Sequence, residues 1–202
     1  NKINGVATDG HRLAFSSAKT NASDLDVRNI LPRKAVLELA KLLSANEGTI
    51  ELLIGPSYVD VRSENLNFSS KLIDGKYPDY DKVFPTGEPL PLEISKELLQ
   101  SALSRASVLS NEKYRGVRFQ LTENKLKLTA NNPEQESAEE ELDVIYKGTE
   151  LEVGFNIGYL LDVLNSIESE TVCFEFYGED SSCILKEQSS EDDIYVIMPM
   201  RL

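Results

Sequence analysis

Two stretches of this 202-residue chain carry the same pattern. That repetition constrains the fold more than any other feature, because a pattern written twice implies a unit built twice. Residues 32–44, with Val36, Leu37, Leu39, Ala40 and Leu43 at helical spacing, lead into Thr49-Ile50-Glu51-Leu52-Leu53-Ile54. Residues 156–168, with Tyr159, Leu160, Val163, Leu164 and Ile167, lead into Thr171-Val172-Cys173-Phe174-Glu175-Phe176, at an offset of about 122 residues. Val6-Ala7-Thr8-Asp9-Gly10 meets Leu128-Thr129-Ala130-Asn131-Asn132 at the same offset, and the segment around Leu72 meets that around Met198 after a few loop residues. The likeness is of pattern, not identity. The unit reads as helix, antiparallel strands, helix, antiparallel strands, so the expected class is α+β, with helices packed on one face of antiparallel sheets. If the second copy begins near Tyr80, the first lacks about 40 residues at its front, which fits an opening at Asn1 inside a strand-like pattern.

Local signals fill the unit. Ile3 to Ala7 reads as a strand end, Thr8-Asp9-Gly10-His11 as a turn, and Leu13, Phe15 and Ser17 as the returning strand. Residues 21–29 are loop-like, and Pro32 sits where a helix starts. Strands are expected over 49–54, 58–62 and 67–73, then a connector at 76–80 and a breaker-rich stretch at 86–91. Ser95 caps a helix to about residue 109, and Asn156 caps another to 168. Further strands are expected over 116–121, 125–130, 136–144, 150–155, 171–176, 182–187 and 194–198. Pro199 ends the last ladder, since it has no N–H to donate. The methionines beside it, Met198 and Met200, admit two readings: the hydrophobic end of a core strand, or adaptable surface anchors for apolar partners.

Composition narrows the function. A formal net charge of −13 argues against a protein that coats nucleic acid on all sides, though not against a local basic face. Cys173 and Cys183, without zinc-ligand spacing, read as reduced thiols of a cytosolic protein, and no apolar run approaches a membrane span. His11 is the sole histidine and reads as a turn residue without a partnered nucleophile. The run Glu134-Gln135-Glu136-Ser137-Ala138-Glu139-Glu140-Glu141 lacks calcium-loop spacing; it reads as a charged edge strand that blocks unwanted pairing, or one that meets a basic edge of a partner. There is no Gly-rich phosphate loop and no catalytic constellation; neither a cofactor nor a metal is expected. Arg33, Lys34 and Lys41 on the first helix, and Lys96 and Arg105 on the second, are either ordinary solubilising charge or diffuse, sequence-independent phosphate contacts lining a cavity.

Several long stretches carry a resemblance. Thr8-Asp9-Gly10-His11-Arg12-Leu13, Lys71-Leu72-Ile73-Asp74-Gly75-Lys76-Tyr77-Pro78-Asp79-Tyr80, Ser110-Asn111-Glu112-Lys113-Tyr114-Arg115-Gly116-Val117-Arg118, Asn131-Asn132-Pro133-Glu134-Gln135-Glu136 and the ending Met198-Pro199-Met200-Arg201-Leu202 resemble the bacterial sliding DNA clamp, the beta subunit of DNA polymerase III. The resemblance implies a truncated middle domain at 1–79 and a whole C-terminal domain at 80–202, with the first domain absent. It implies a non-enzymatic processivity factor that encircles duplex DNA as a homodimeric ring and acts in the cytoplasm, at the nucleoid. Helices face the DNA, with Arg33, Lys34, Lys41, Lys96 and Arg105 as candidate phosphate contacts. Replicative polymerase, clamp loader and repair polymerases would dock short peptides, with a glutamine and a Leu/Phe end, in a hydrophobic groove. The matching positions are Thr8, Gly10, His11, Arg12 and Leu13; Pro78, Lys82 and Val83; and Ser182, Val196, Met198, Pro199, Met200 and Arg201. The ring interface maps to Val108, Leu109, Glu134, Glu136 and Glu140; without the first domain, a monomer is expected. Two other functions remain in play: a protein-interaction scaffold without a DNA role, and a metal-dependent nuclease using Glu139 and Glu140.

Overall fold

The computed structural model describes residues 2–22, 27–45, 48–111, 113–188 and 190–201. The chain forms two compact units, residues 1–21 with 80–202 and residues 22–79. Part of the polar loop expected at 21–29 lies outside the described residues.

The larger unit opens with a hairpin, β1 (Lys2–Thr8) and β2 (Arg12–Lys19), paired from Lys2 opposite Lys19 to Thr8 opposite Leu13. After a single 3-10 turn at Tyr80–Val83 come β6 (Leu90–Ser95), α2 (Lys96–Val108), β7 (Gly116–Thr122), β8 (Lys125–Asn131), β9 (Ser137–Asp143), β10 (Ile145–Tyr146), β11 (Leu151–Asn156), α3 (Ile157–Ser166), β12 (Thr171–Phe176), β13 (Cys183–Glu187) and β14 (Asp193–Ile197). Seven strands form one antiparallel sheet in the order β1-β2-β14-β13-β12-β6-β10, and four form another, β11-β7-β8-β9. Both helices start where a side chain can take an orphan amide. The Ser95 hydroxyl accepts from Leu98 N at 3.5 Å, and Asn156 Oδ1 from Tyr159 N at 3.3 Å.

Between helices and sheets lies one apolar core. Helix α2 buries Leu99, Ala102, Leu103 and Ala106, and α3 buries Ile157, Leu160, Val163 and Leu164. On β7 and β8 the alternating positions Val117, Phe119, Leu121, Leu126, Leu128 and Ala130 turn inward. Phe119 meets Phe155 edge-on at 5.3 Å, and Phe174 stacks on Phe176 at 5.7 Å.

The smaller unit contains α1 (Arg33–Leu43) and the meander β3 (Glu51–Ile54), β4 (Tyr58–Ser63) and β5 (Leu66–Lys71), closed by a bridge from Ile30 to Ile73. Its buried described residues are Val59 and Val61 alone. Helix α1 buries none, and Val36, Leu37 and Leu42 stay exposed along with every residue of β3. The amphipathic spacing that predicts this helix is real, yet its apolar stripe meets little of the chain.

Two strands escaped the sequence pattern. Pro89 and Pro91 mark 86–91 as breakers, but β6 runs through Pro91. It tolerates the proline because β10 pairs only with Leu92 and Glu93, leaving Leu90 and Pro91 with β12 as their single neighbour. The two-residue β10 is too short to show alternation.

Candidate functional site

The turn joining β1 to β2 is folded by its own side chains. Gly10 has φ of +89°, where a side chain would be strained. Thr8 Oγ1 accepts from Gly10 N (3.1 Å) and donates to Arg12 O (2.7 Å). Asp9 Oδ1 accepts from the amides of His11 (3.0 Å) and Arg12 (3.1 Å). Burial alone would raise the Asp9 carboxyl; the His11 amide, then the Arg12 guanidinium and amide, outweigh it and hold the group below its ordinary value.

Arg12 fastens this turn to α3. Its Nε donates to Asp9 Oδ2 at 3.0 Å, its Nη1 to Asp162 Oδ2 at 2.6 Å, and its guanidinium carbon lies 4.4 Å from the centre of the Tyr159 ring. His11 faces the same ring at 6.3 Å.

Beneath the turn, Leu13 pairs with Val196, and both are buried with Ile184 in a small apolar cluster separate from the main core. Val6, Phe15, Tyr80, Val83, Phe84 and Tyr177 surround it and remain partly exposed, so the cluster reaches solvent. The Tyr177 hydroxyl donates to Glu175 Oε2 at 3.0 Å; burial, then that carboxylate, push its pKa up to about 12. The C-terminal tail continues from β14 along this region. Met198 N donates to His11 O at 3.0 Å and Met200 N to Gly154 O at 2.8 Å, with Met198, Pro199 and Met200 half-buried and Arg201 exposed.

The structure thus gathers Thr8, Gly10, His11, Arg12, Leu13, Val83, Val196 and Met198 around one open apolar cluster. Pro199, Met200 and Arg201 extend it along the tail, and Ser182, half-buried, precedes Cys183, which pairs with Ile197. Lys82 is exposed on the 3-10 turn beside Val83. Pro78 belongs to the smaller unit, where it is exposed outside any helix or strand. Sequence reasoning missed Tyr159, Asp162, Ile184, Phe15 and Tyr177. Tyr159 sits at helical spacing with core residues and reads as core; its place in the first turn after a capping Asn156 is the signal that it stands at the helix mouth. Around this cluster the geometry offers partly exposed apolar side chains and backbone polar groups, which suit a docked peptide better than bond chemistry.

The basic candidates divide. Arg33, Lys34 and Lys41 are exposed on α1. Lys96 turns its ammonium to the carbonyl of Ile167, at the C-terminal end of α3, where a cation complements the helix dipole. Arg105 forms a two-bond pair with Glu140, Nε to Oε1 at 2.6 Å and Nη2 to Oε2 at 2.8 Å. One proposed phosphate contact is therefore tied to one proposed interface carboxylate.

Strand β9 has a single neighbour, β8, and forms an edge of its sheet. Lys125 bonds Glu141 (3.0 Å) and Asp143 (2.8 Å), and Lys127 bonds Glu139 (3.0 Å), across the ladder. Glu134 and Glu136 are exposed in the loop before β9, where Asn132 Nδ2 donates to Glu136 Oε2 at 2.7 Å. At the end of α2, Val108 is 78% exposed and Leu109 half-buried.

Comparison with known proteins matches both parts of the chain. Residues 1–79 match the family model of the DNA polymerase III beta subunit, central domain, and residues 81–201 that of its C-terminal domain. The beta sliding clamp of Pseudomonas putida is 45% identical over 203 residues, covering 100% of this chain and 55% of that protein. The Salmonella typhimurium beta sliding clamp is 47% identical over 201 residues, with the same coverage. Among solved structures, the DNA polymerase III subunit beta from Pseudomonas aeruginosa superposes with a TM-score of 0.95 at 46% identity, covering 99% of this chain and 55% of that one. A Pseudomonas aeruginosa sliding clamp bound to griselimycin superposes at 0.96 and 46%, covering 100% and 55%. The chain spans about half the length of these relatives.

Proposed function

Since this chain belongs to the DNA polymerase III beta-subunit family, the bacterial sliding clamps, we propose that it is the middle and C-terminal part of a processivity factor for DNA replication. It has no chemistry of its own. It supplies the docking groove through which the replicative polymerase, clamp loader and repair polymerases are tethered by short peptides with a glutamine and a Leu/Phe end. The observation that carries this reading is the convergence of the β1–β2 turn, the end of β14 and the tail on an open apolar cluster. Apolar peptide anchors enter such a cluster and dominate affinity.

Titrating a labelled peptide of that kind against this chain and Met198→Ala, read by fluorescence anisotropy, tests it. Saturable binding, weakened about tenfold by the substitution, is expected. Equal binding by both proteins, or none by either this chain or a full-length homologous clamp, refutes the site.

In the full-length protein, a homodimeric ring passes duplex DNA along its helices, with Arg33, Lys34 and Lys41 giving salt-sensitive, sequence-independent contacts. The edge of β9, with Val108 and Leu109 at the end of α2, closes that ring, and light scattering of this chain alone should find a monomer. The division at residue 79 is the boundary between the central and C-terminal domains. The protein works in the cytoplasm, at the nucleoid. No helix among the described residues is long and apolar enough to cross a membrane.

One observation favours a second reading, a protein-interaction scaffold without a DNA role: Lys96 and Arg105 are both engaged internally. Duplex binding by the full-length ring that ignores salt supports the scaffold; binding that weakens steeply with salt supports the clamp.

A further inference from the structure

The C-terminal tail borders a second site. Met200 and Arg201 complete a cleft of about 390 Å³ with Gly116 and Arg118 of β7 and Thr129 and Asn131 of β8. Val117, Phe119, Leu128 and Ala130 point from these strands into the core, so the alternating Arg118, Thr129 and Asn131 lie on the opposite face of the sheet from α2 and α3. Asn111 and Tyr114, in the loop after α2, wall the cleft.

Its lining surface is mainly apolar, with hydrogen-bonding groups set into it. Asn111 Oδ1 is occupied by the amides of Lys113 (2.9 Å) and Tyr114 (3.0 Å), leaving its Nδ2 group to donate. Tyr114 and Thr129 bring hydroxyls, and Arg118 and Arg201 bring guanidinium groups. Lys113 lies 5.1 Å over the Tyr114 ring and adds another cation at the rim. Arg118 is shared with Glu152: one carboxylate oxygen pairs with its guanidinium, and the other accepts from Gln120 Nε2 at 2.9 Å. The loop is also held in place before any ligand arrives. Arg115 N donates to Asn111 O at 2.7 Å, and Asn156 Nδ2 to Tyr114 O at 3.2 Å. Pre-set donors in an otherwise acidic body suit an anion.

We propose that this cleft receives carboxylate side chains from an acidic segment flanking the peptide docked at the apolar cluster; the proposal rests on the docking reading above. Two features select a peptide over DNA. The cleft lies on the face away from the helices. It also shares the tail with the docking cluster: Met198 is bonded at the β1–β2 turn, and Met200, two residues or about 7 Å of extended chain further on, walls the cleft. A peptide extension of a few residues spans that interval.

The test uses the 202-residue chain with a labelled glutamine, Leu/Phe-ended peptide and the same peptide carrying several glutamates at one end or the other. At low salt one extended peptide is expected to bind about three- to tenfold tighter than the plain one, in keeping with a few partly exposed charge contacts. That advantage should vanish in Arg118→Gln/Asn131→Asp, which leaves the plain peptide's affinity unchanged. Equal binding of all peptides by the wild-type chain, or an advantage that survives the double substitution, overturns the proposal. A motif-free glutamate peptide, followed by amide NMR, separates the cleft from the groove. If the plain peptide fails to bind, the docking reading falls, and shifts at Gly116, Thr129 and Asn131 alone decide: their presence supports the cleft and their absence overturns it. A short DNA duplex that moves these amides where the acidic peptide does not overturns it too.

Discussion

Arg12→Gln isolates the clip that ties the β1–β2 turn to α3. The wild-type guanidinium makes three contacts of unequal worth. Its bond to Asp162 is short, 2.6 Å, but that carboxylate is 63% exposed, so water screens most of the attraction and roughly 0.3 kcal/mol is left. The bond to Asp9 involves a carboxylate already oriented by two backbone amides, which lowers the entropy of pairing, and contributes about 0.5 kcal/mol. Stacking over Tyr159 at 4.4 Å, with the arginine 31% exposed, contributes roughly 0.5–1 kcal/mol. The substitution should therefore cost about 1–2 kcal/mol and lower the melting point of the larger unit by roughly 3–6 °C. Calorimetry gives the total, and a double-mutant cycle with Asp162→Asn gives the smallest piece, a coupling of about 0.3 kcal/mol. Peptide affinity should fall with it, because the turn that presents His11 and the ring of Tyr159 are held by the same group. An unchanged melting point, or a coupling to Asp162 above about 1.5 kcal/mol, would refute the screening argument on which the ranking rests.

Three further outcomes follow from the same contacts. Val196→Ala removes two buried methyl groups from the small apolar cluster and should cost about 1–3 kcal/mol, measured as a lower urea midpoint, with weaker peptide binding. Tyr177 should ionise near pH 12 in an ultraviolet pH titration. Because its folded pKa is raised, its stabilisation is complete below the ordinary phenol value near 10 and is lost as pH climbs through about 12; Glu175→Gln should bring the transition down. Amides of α1 should exchange with deuterium much faster than those of α2, since α1 buries no residue and α2 buries four; equal protection would contradict the burial argument.

Local chemistry made much of this fold readable. Ser95 and Asn156 announce α2 and α3 because a side-chain acceptor beside orphan amides works in the sequence as it does in space. Asp9-Gly10 announces the hairpin because only a glycine is relaxed at φ of +89°. What escaped depends on partners distant in the chain. The tolerance of Pro91 is set by where β10 stops, some fifty residues later. The fates of Lys96 and Arg105 are set by Ile167 and Glu140, and helical spacing says nothing of either. The site shows the same split. Its turn and tail are visible as motifs, whereas Tyr159 and Ile184 join it only once α3 and β13 have packed.

The ladder between β2 and β14 runs from Ser16 opposite Asp193 to Arg12 opposite Ile197. Its first partner belongs to the stretch matching the central-domain model, its second to the stretch matching the C-terminal one. Ancestry and hydrogen bonding therefore divide this chain at different places. A truncation beginning at Tyr80, faithful to ancestry, strips two strands from the seven-stranded sheet and leaves β14 as a raw edge. Leu13 goes with them, so Val196 loses its cover, and an apolar strand with idle amides and carbonyls faces solvent. Such a fragment is expected to pair with its own copies, which light scattering would detect. The hairpin is in this sense an in-built chaperone for the strand that carries the tail, donated by the neighbouring domain.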